Sequence, residues 1–252
     1  AVLVASSDDR KDIFDICFAH SERIWRDCDW PRYVGLTHAQ PDQHGFKVVT
    51  SPQHEWRLAV ADYVDALPAD VRYILLMVED TLFMEPVDGE KLSQSGWWIA
   101  SAKASYLRLV PITRNWFSKM LKASVCLYEM HFPVEQIPKS NPYYSSTEMA
   151  IWERGYLRGL LDLPANAWQF EHHITDREHY AVLSPVLKQH QIVQKGHWNR
   201  DAPRLLQSQG LSIGRNSRPF QTRSAWLRGK WQNINFAMFG FASVRIKQWL
   251  SS

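Results

Sequence analysis

Apolar and polar positions along the chain alternate between two rhythms. Val2-Leu3-Val4-Ala5 is a short unbroken apolar run, and Ser6-Ser7-Asp8-Asp9 after it is a cluster of helix N-cap residues. Ile13, Cys17, His20 and Ile24 then recur at helical spacing, with Phe14, Phe18 and Trp25 widening the apolar face. A strand followed by a helix is predicted, and Cys28-Asp29-Trp30-Pro31 breaks that helix. Residues 33 to 37 and 46 to 50 read as a second and a third strand. Ser51-Pro52 opens a helix whose Trp56, Val60, Tyr63 and Leu67 share one face, and Pro68 closes it. Residues 73 to 78 are an unbroken apolar run without helical spacing, as expected of a strand buried on both faces. It runs into two adjacent carboxylates, Glu79 and Asp80.

This alternation of strands and helices predicts an α/β fold with a mostly parallel sheet. Acids at the end of a central strand then fall at the carboxyl edge of the sheet, where open α/β folds bind ligands. Beyond them, residues 88 to 101 predict a helix and 106 to 110 a strand, while 112 to 142 carry no assignable period. Ser145-Ser146-Thr147-Glu148 has the form of a capping box. Met149, Trp152, Tyr156 and Leu160 follow at helical spacing, which predicts a helix from 145 to about 162. Ala167 to Glu171 sets one acid among aromatics, and Lys195-Gly196-His197-Trp198 reads as a turn.

At 252 residues, 45% hydrophobic and 22% charged, the chain has the composition of a soluble globular protein. No apolar stretch reaches the ~20 residues that span a bilayer, and the amino terminus lacks the form of a signal peptide. A cytoplasmic protein is expected. Cys17, Cys28 and Cys126 are odd in number and lack metal-ligand spacing, so reduced structural thiols are expected rather than disulfides or zinc. Twelve tryptophans suit either a bulky core or a surface that stacks on sugars.

Three readings compete for Glu79-Asp80: solvated acids at a loop, a carboxylate site for Mg²⁺ or Mn²⁺, and general acid or base chemistry with one displaced pKa. No GxGxxG follows the first strand and no GxxxxGK[ST] occurs, which argues against a dinucleotide site or a P-loop.

Taken in order, LLMVEDTLFMEPVD, YYSSTEMAIWERGYLRGLL, AWQFE and KGHW resemble the motifs of bacterial GT-A-type glycosyltransferase-like proteins of surface-polysaccharide gene clusters. In that group a hydrophobic strand ends in an Asp-Asp pair; a Ser-x-Gln-x-x-x-Trp segment, Trp-x-Phe-Glu and Gly-Lys-Trp follow. The resemblance covers roughly residues 2 to 205, and it departs at Glu79, in place of the first Asp, and at Glu148, in place of Gln. It implies a GT-A-like mixed, mostly parallel central sheet flanked by helices, with a helical C-terminal tail.

The resemblance also implies that Asp80, with Glu79, faces a nucleotide-sugar diphosphate through Mn²⁺ or Mg²⁺, and that Glu171 lies near the acceptor. Glu171, between aromatics, is the candidate catalytic base, the plainer alternative being a helix-start acid or an arginine partner. Ser6, Arg57 and Asp80 are candidate donor contacts, and Glu148, Trp152 and Trp168 candidate acceptor contacts, although core packing is the plainer reading of both tryptophans. His197 is a candidate third metal ligand beside Glu79 and Asp80, against the plainer reading of a surface histidine. His172-His173 are too local for a metal site.

From 202 to 252 there is no Asp or Glu but eight Lys and Arg, interleaved with Trp226, Trp231, Phe236, Phe239, Phe241 and Trp249. Residues 1–211 are therefore read as the catalytic domain and 212–252 as a basic aromatic segment. That segment suits an anionic membrane surface, here the inner face of the cytoplasmic membrane, with nucleic acid as runner-up and packing against the acidic body as the plainest reading. A glycosyltransferase with a glycan or lipid-linked acceptor is expected. The alternative, a nucleic-acid-binding module or metal-dependent nuclease, ranks below it because a nuclease wants several convergent carboxylates.

Overall fold

The computed structural model describes residues 1–19, 21–112, 133–141, 143–147, 149–163, 166–214, 218–229 and 231. Glu148, Cys126 and the tail beyond 231, with its Phe236, Phe239, Phe241 and Trp249, lie outside the described residues.

The main sheet is built from β1 (Val2–Ala5), β2 (Arg32–Leu36), β3 (Lys47–Thr50), β4 (Tyr73–Val78), β6 (Tyr106–Arg108), β7 (Val134–Gln136), β8 (Ala150–Glu153) and β9 (Tyr180–Val182). Their order is β3-β2-β1-β4-β8-β6-β9-β7. The first four are mutually parallel, β8 runs antiparallel to both β4 and β6, and β6 is parallel to β9. The expected mixed, mostly parallel sheet flanked by helices is therefore present. Because β8 opposes both of its neighbours, β4 and β6 share a direction and bring their carboxyl ends to one edge. Two short pairs cover that edge, β5 (Thr81–Phe83) with β10 (Gln189–Gln191), and β11 (Val193–Gln194) with β12 (His197–Trp198).

Alternation along the central strands divides the core in two. Val2, Val4, Leu75 and Met77 face a layer holding the helices Lys11–Phe18, Gly89–Ser101 and Ala202–Ser208, while Leu3, Ile74 and Leu76 face the helices Trp56–Ala66 and Arg154–Leu161. Ile74 to Met77 are fully buried, each contributing about 1.5–3 kcal/mol, which is why the run shows no period in sequence. At Gly35 the approach is closest: a Cβ there would lie 2.2 Å from the Tyr63 ring, so glycine lets that helix pack onto β2.

Three sequence expectations fail here. The helix predicted from Ile13 as far as the break at Cys28 ends at Phe18, and Ser21–Ile24 is a separate short helix. The helix predicted from 145 begins only at Arg154, and Ala150–Glu153 is a strand. Met149 and Ile151 enter one half of the core and Ala150 and Trp152 the other. A segment wedged between β4 and β6 buries both faces and pairs its backbone on both sides, and an extended chain meets both demands. Glu153, not Ser145, caps the helix, its carboxylate accepting from the Gly155 and Tyr156 amides at 3.1 and 2.7 Å. The helix expected from Ser51-Pro52 likewise starts later, at Trp56. Ser51 is tied to the end of β2 through the Leu36 carbonyl, and its hydroxyl accepts from the Gln53 amide, leaving residues 51–55 as a loop.

Of the basic segment, residues 219–221 lie against β12, with Trp198 and Phe220 forming a bridge, and residues 223–229 are helical. Arg218 pairs with Asp12 at 2.9 Å, so one cation of this segment meets the acidic body. Phe220, Leu227 and Trp231 are exposed.

Candidate active site

A cleft of about 970 Å³ opens along the carboxyl edge of β1, β4 and β6. The turn after β1 contributes Ser6 to Arg10 to its lining, the end of β4 contributes Glu79 and Asp80, and the helix Ala167–Glu171 contributes Trp168 and Glu171. The cluster Ser6 to Asp9 does not act as the N-cap its composition suggests, since Ser7 makes no side-chain cap bond. Asp8 instead accepts from the Thr37 amide at 3.0 Å and contacts the His38 ring at 2.6 Å, tying the turn after β1 to the turn after β2. The Ser6 hydroxyl oxygen is buried without a hydrogen-bond partner among the described residues, and Ser6 lines the cleft.

Glu79 and Asp80 are 4% and 7% exposed, which removes the reading of solvated loop acids. Arg10 donates to Glu79 Oε1 at 2.7 Å. Gln191 of β10 donates to Asp80 Oδ2 at 2.9 Å, and the Ile192 amide donates to the Asp80 carbonyl. Asp80 Oδ1 has no hydrogen-bond partner among the described residues. Burial, then the neighbouring Glu79 charge, push the Asp80 carboxyl up to about 7. Behind the pair, burial raises the Cys17 thiol well above its ordinary value and the two carboxylates add to that, which makes it an inert core thiol.

No group of three or more His, Cys, Asp or Glu among the described residues could hold a metal unaided. Two adjacent carboxylates, with Asp80 Oδ1 buried and unengaged among the described residues, nevertheless fit Mg²⁺ or Mn²⁺, which bind through one or two carboxylates and let substrate phosphates complete the shell. Oxygen ligands alone do not fit a structural zinc site.

Glu171, also lining the cleft, closes the helix Ala167–Glu171, which a reciprocal capping box between Asn166 and Gln169 begins. Its Oε1 accepts three hydrogen bonds, from the Thr147 amide at 2.9 Å, the Thr147 hydroxyl at 2.8 Å and the Ser146 hydroxyl at 3.2 Å. Oε2 has no partner among the described residues. The segment read as a helix cap is thus the loop that holds the candidate base. Trp168 stands 64% exposed beside it and lines the cleft.

Other candidates lie apart from this cleft. Trp152 is fully buried in the core beside Tyr106 and Phe170 and is out of reach of an acceptor. Arg57 is engaged by Glu55 and by the Leu161 carbonyl and does not line the cleft. His197 is exposed, its Nδ1 bonds to the Lys195 carbonyl at 2.9 Å, and it is not among the residues that line the cleft with the two acids. Sequence reading missed Arg10, Asp8, Gln191 and Arg108, all cleft residues. Of these only Asp8 had a local signal, and that signal pointed to capping.

Under the Glu171 loop lies an aromatic stack. His179 is fully buried between the Tyr106 and Tyr144 rings, each centroid 4.3 Å away. Its Nδ1 faces the Tyr144 carbonyl at 2.8 Å and therefore carries the proton, so Nε2 accepts from the Tyr156 hydroxyl at 2.8 Å. The Tyr106 hydroxyl donates in turn to the Ser146 carbonyl. Burial pushes the His179 pKa down to about 4, while an unfolded chain charges this group near 6.5. The unfolded state then binds more protons than the native one between those values, so stability falls as pH drops. Denaturant titrations should show His179 accounting for about 2 kcal/mol less stability at pH 5 than at pH 7. His179→Gln should remove that much of the difference, and an unchanged pH slope would show that the histidine is not held neutral.

No family model matches the chain, and no curated protein matches it. Among solved structures it is similar to S. aureus TarS 1-349 in complex with UDP-GlcNAc, at 12% identity, 78% of this chain, 59% of that chain and a TM-score of 0.45. It is also similar to the mannosyltransferase PcManGT from Pyrobaculum calidifontis in complex with GDP-Man and Mn²⁺, at 13%, 77%, 57% and 0.43. A cytidylyltransferase from Leptospira borgpetersenii follows at 10%, 68%, 67% and 0.38. The chain spans less than three fifths of the length of the TarS and PcManGT chains. These are distant likenesses of chain path, at TM-scores below 0.5.

Proposed function

We propose that the chain transfers a sugar from a nucleotide-sugar donor to a hydroxyl of a glycan or lipid-linked acceptor in bacterial surface-glycan synthesis. The observation that carries this reading is a single cleft lined by both a buried acid pair and a braced carboxylate. Its volume suits a ligand of nucleotide-sugar size. The motif resemblance supports the same reading.

Glu79 and Asp80 would hold a divalent cation, which when bound offsets charge on the departing diphosphate. Arg10 keeps the Glu79 carboxylate oriented, and the Ser6 hydroxyl is placed to bond a donor oxygen. In an inverting transfer the acceptor oxygen forms its bond to the anomeric carbon as the carbon–oxygen bond to the diphosphate breaks, its electron pair leaving with the diphosphate. The hydroxyl proton passes to Glu171, whose Oε1 is held by Ser146 and Thr147 while Oε2 receives it. Trp168 offers an exposed ring for a sugar face. On this reading residues 1–211 form the catalytic unit, and the basic segment from 212 packs on it or meets an anionic membrane surface. No helix among the described residues is long and apolar enough to cross a membrane.

Incubation with UDP-, GDP- and CMP-linked sugars should release nucleotide from one of them, with Mn²⁺ or Mg²⁺ stimulating and EDTA suppressing release. Neither turnover nor binding with any member of such a panel would overturn the reading.

A further inference from the structure

Arg108, the last residue of β6, is 5% exposed and lines the cleft. Its Nε donates to the Tyr106 hydroxyl at 3.3 Å and its Nη2 to the Tyr143 carbonyl. Both partners are uncharged, and no carboxylate among the described residues pairs with it. A buried guanidinium is costly without a counter-charge, and arginines taken out of water are as a rule paired. One left unpaired at a cleft wall points to a charge that arrives with the ligand.

Strand register places that charge away from the acid pair. Arg108 is level with Ala150 of β8 and through it with Leu76 of β4, two strand spacings or roughly 10 Å across the sheet. Glu79 and Asp80 lie three and four residues beyond Leu76. The immediate surroundings of Arg108 are those of Glu171: Tyr143 binds it directly, and Tyr106 links it to Ser146, whose hydroxyl donates to Glu171. We propose that Arg108 binds an anionic group, a carboxylate or a phosphate, carried by the acceptor. The guanidinium fork suits either oxyanion in bidentate fashion. The term acceptor rests on the glycosyl-transfer reading, whereas the anion site rests on Arg108 alone.

The experiment uses the full chain and four probes: glucuronate, glucose 1-phosphate, neutral glucose, and a set of nucleoside diphosphates. Calorimetric titration should show the two anionic sugars binding more tightly than glucose, and Arg108→Gln should weaken them at least ~10-fold, as for loss of a charge-assisted bond. Glucose and the nucleoside diphosphates should bind that variant as they bind the parent. Should Arg108→Gln not fold, phenylglyoxal labelling of the parent, read at Arg108 by mass spectrometry, decides: either anionic sugar should protect the residue and glucose should not. Equal binding of charged and neutral sugars, an unaltered ratio in Arg108→Gln, absence of protection, or an effect confined to nucleoside diphosphates would each overturn the proposal. Failure of every nucleoside diphosphate to bind the parent would instead count against the donor reading and leave the sugar-acid arm decisive for Arg108.

Discussion

Asp80→Asn is expected to abolish transfer and metal-dependent nucleotide binding while making the free protein more stable at pH 8. The two effects have one cause. The carboxyl is buried beside Glu79, one oxygen lacks a hydrogen-bond partner among the described residues, and its pKa is pushed up to about 7 from an ordinary value near 4. Between those values the native state holds a proton that the unfolded chain releases, so stability falls as pH rises and the loss is complete above about 7. Asparagine has no charge to bury, and its amide oxygen can still accept from Gln191. A gain of about 1–3 kcal/mol at pH 8, shrinking toward pH 5, is expected from denaturant titrations. Turnover should drop by at least ~10³-fold, the scale on which lost electrostatic stabilisation of a leaving group is felt. A less stable variant would make Asp80 a structural acid. Unchanged turnover would remove it from the chemistry.

Glu171→Gln should lower turnover ~10²–10⁴-fold while donor affinity and melting temperature stay near those of the parent. Glutamine keeps an oxygen where Ser146 and Thr147 donate, so the loop that braces it should survive; what it loses is the capacity to take the acceptor proton. A fall in donor affinity with turnover preserved would move Glu171 to the donor side. Collapse of the melting temperature would make its three hydrogen bonds its purpose.

Sequence by itself determined the order of strands and helices over the first eighty residues, because those runs are specified locally, but not where the helices begin and end. The YILLMV run reads as a strand buried on both faces, the apolar period from Ile13 marks a helix with no partner in view although that helix stops at Phe18, and acids ending a central strand fall at the sheet's carboxyl edge. Glu171 too could be singled out, as one acid among aromatics. Tertiary structure decided the rest. Ala150 to Glu153 has helical spacing yet is a strand, since its place between β4 and β6 requires both faces to be buried. Trp152 and Trp168 look alike in sequence, but strand β8 carries one into the core and the helix Ala167–Glu171 leaves the other exposed at the cleft. Arg10 meets Glu79 across 69 positions, Gln191 meets Asp80 across 111, and Arg108 shows no missing counter-charge until the sheet places it against a cleft wall. Local preference acts within a few residues along the chain, whereas charge pairing and burial act between any groups the fold brings within a few ångströms, and no window of sequence contains both partners.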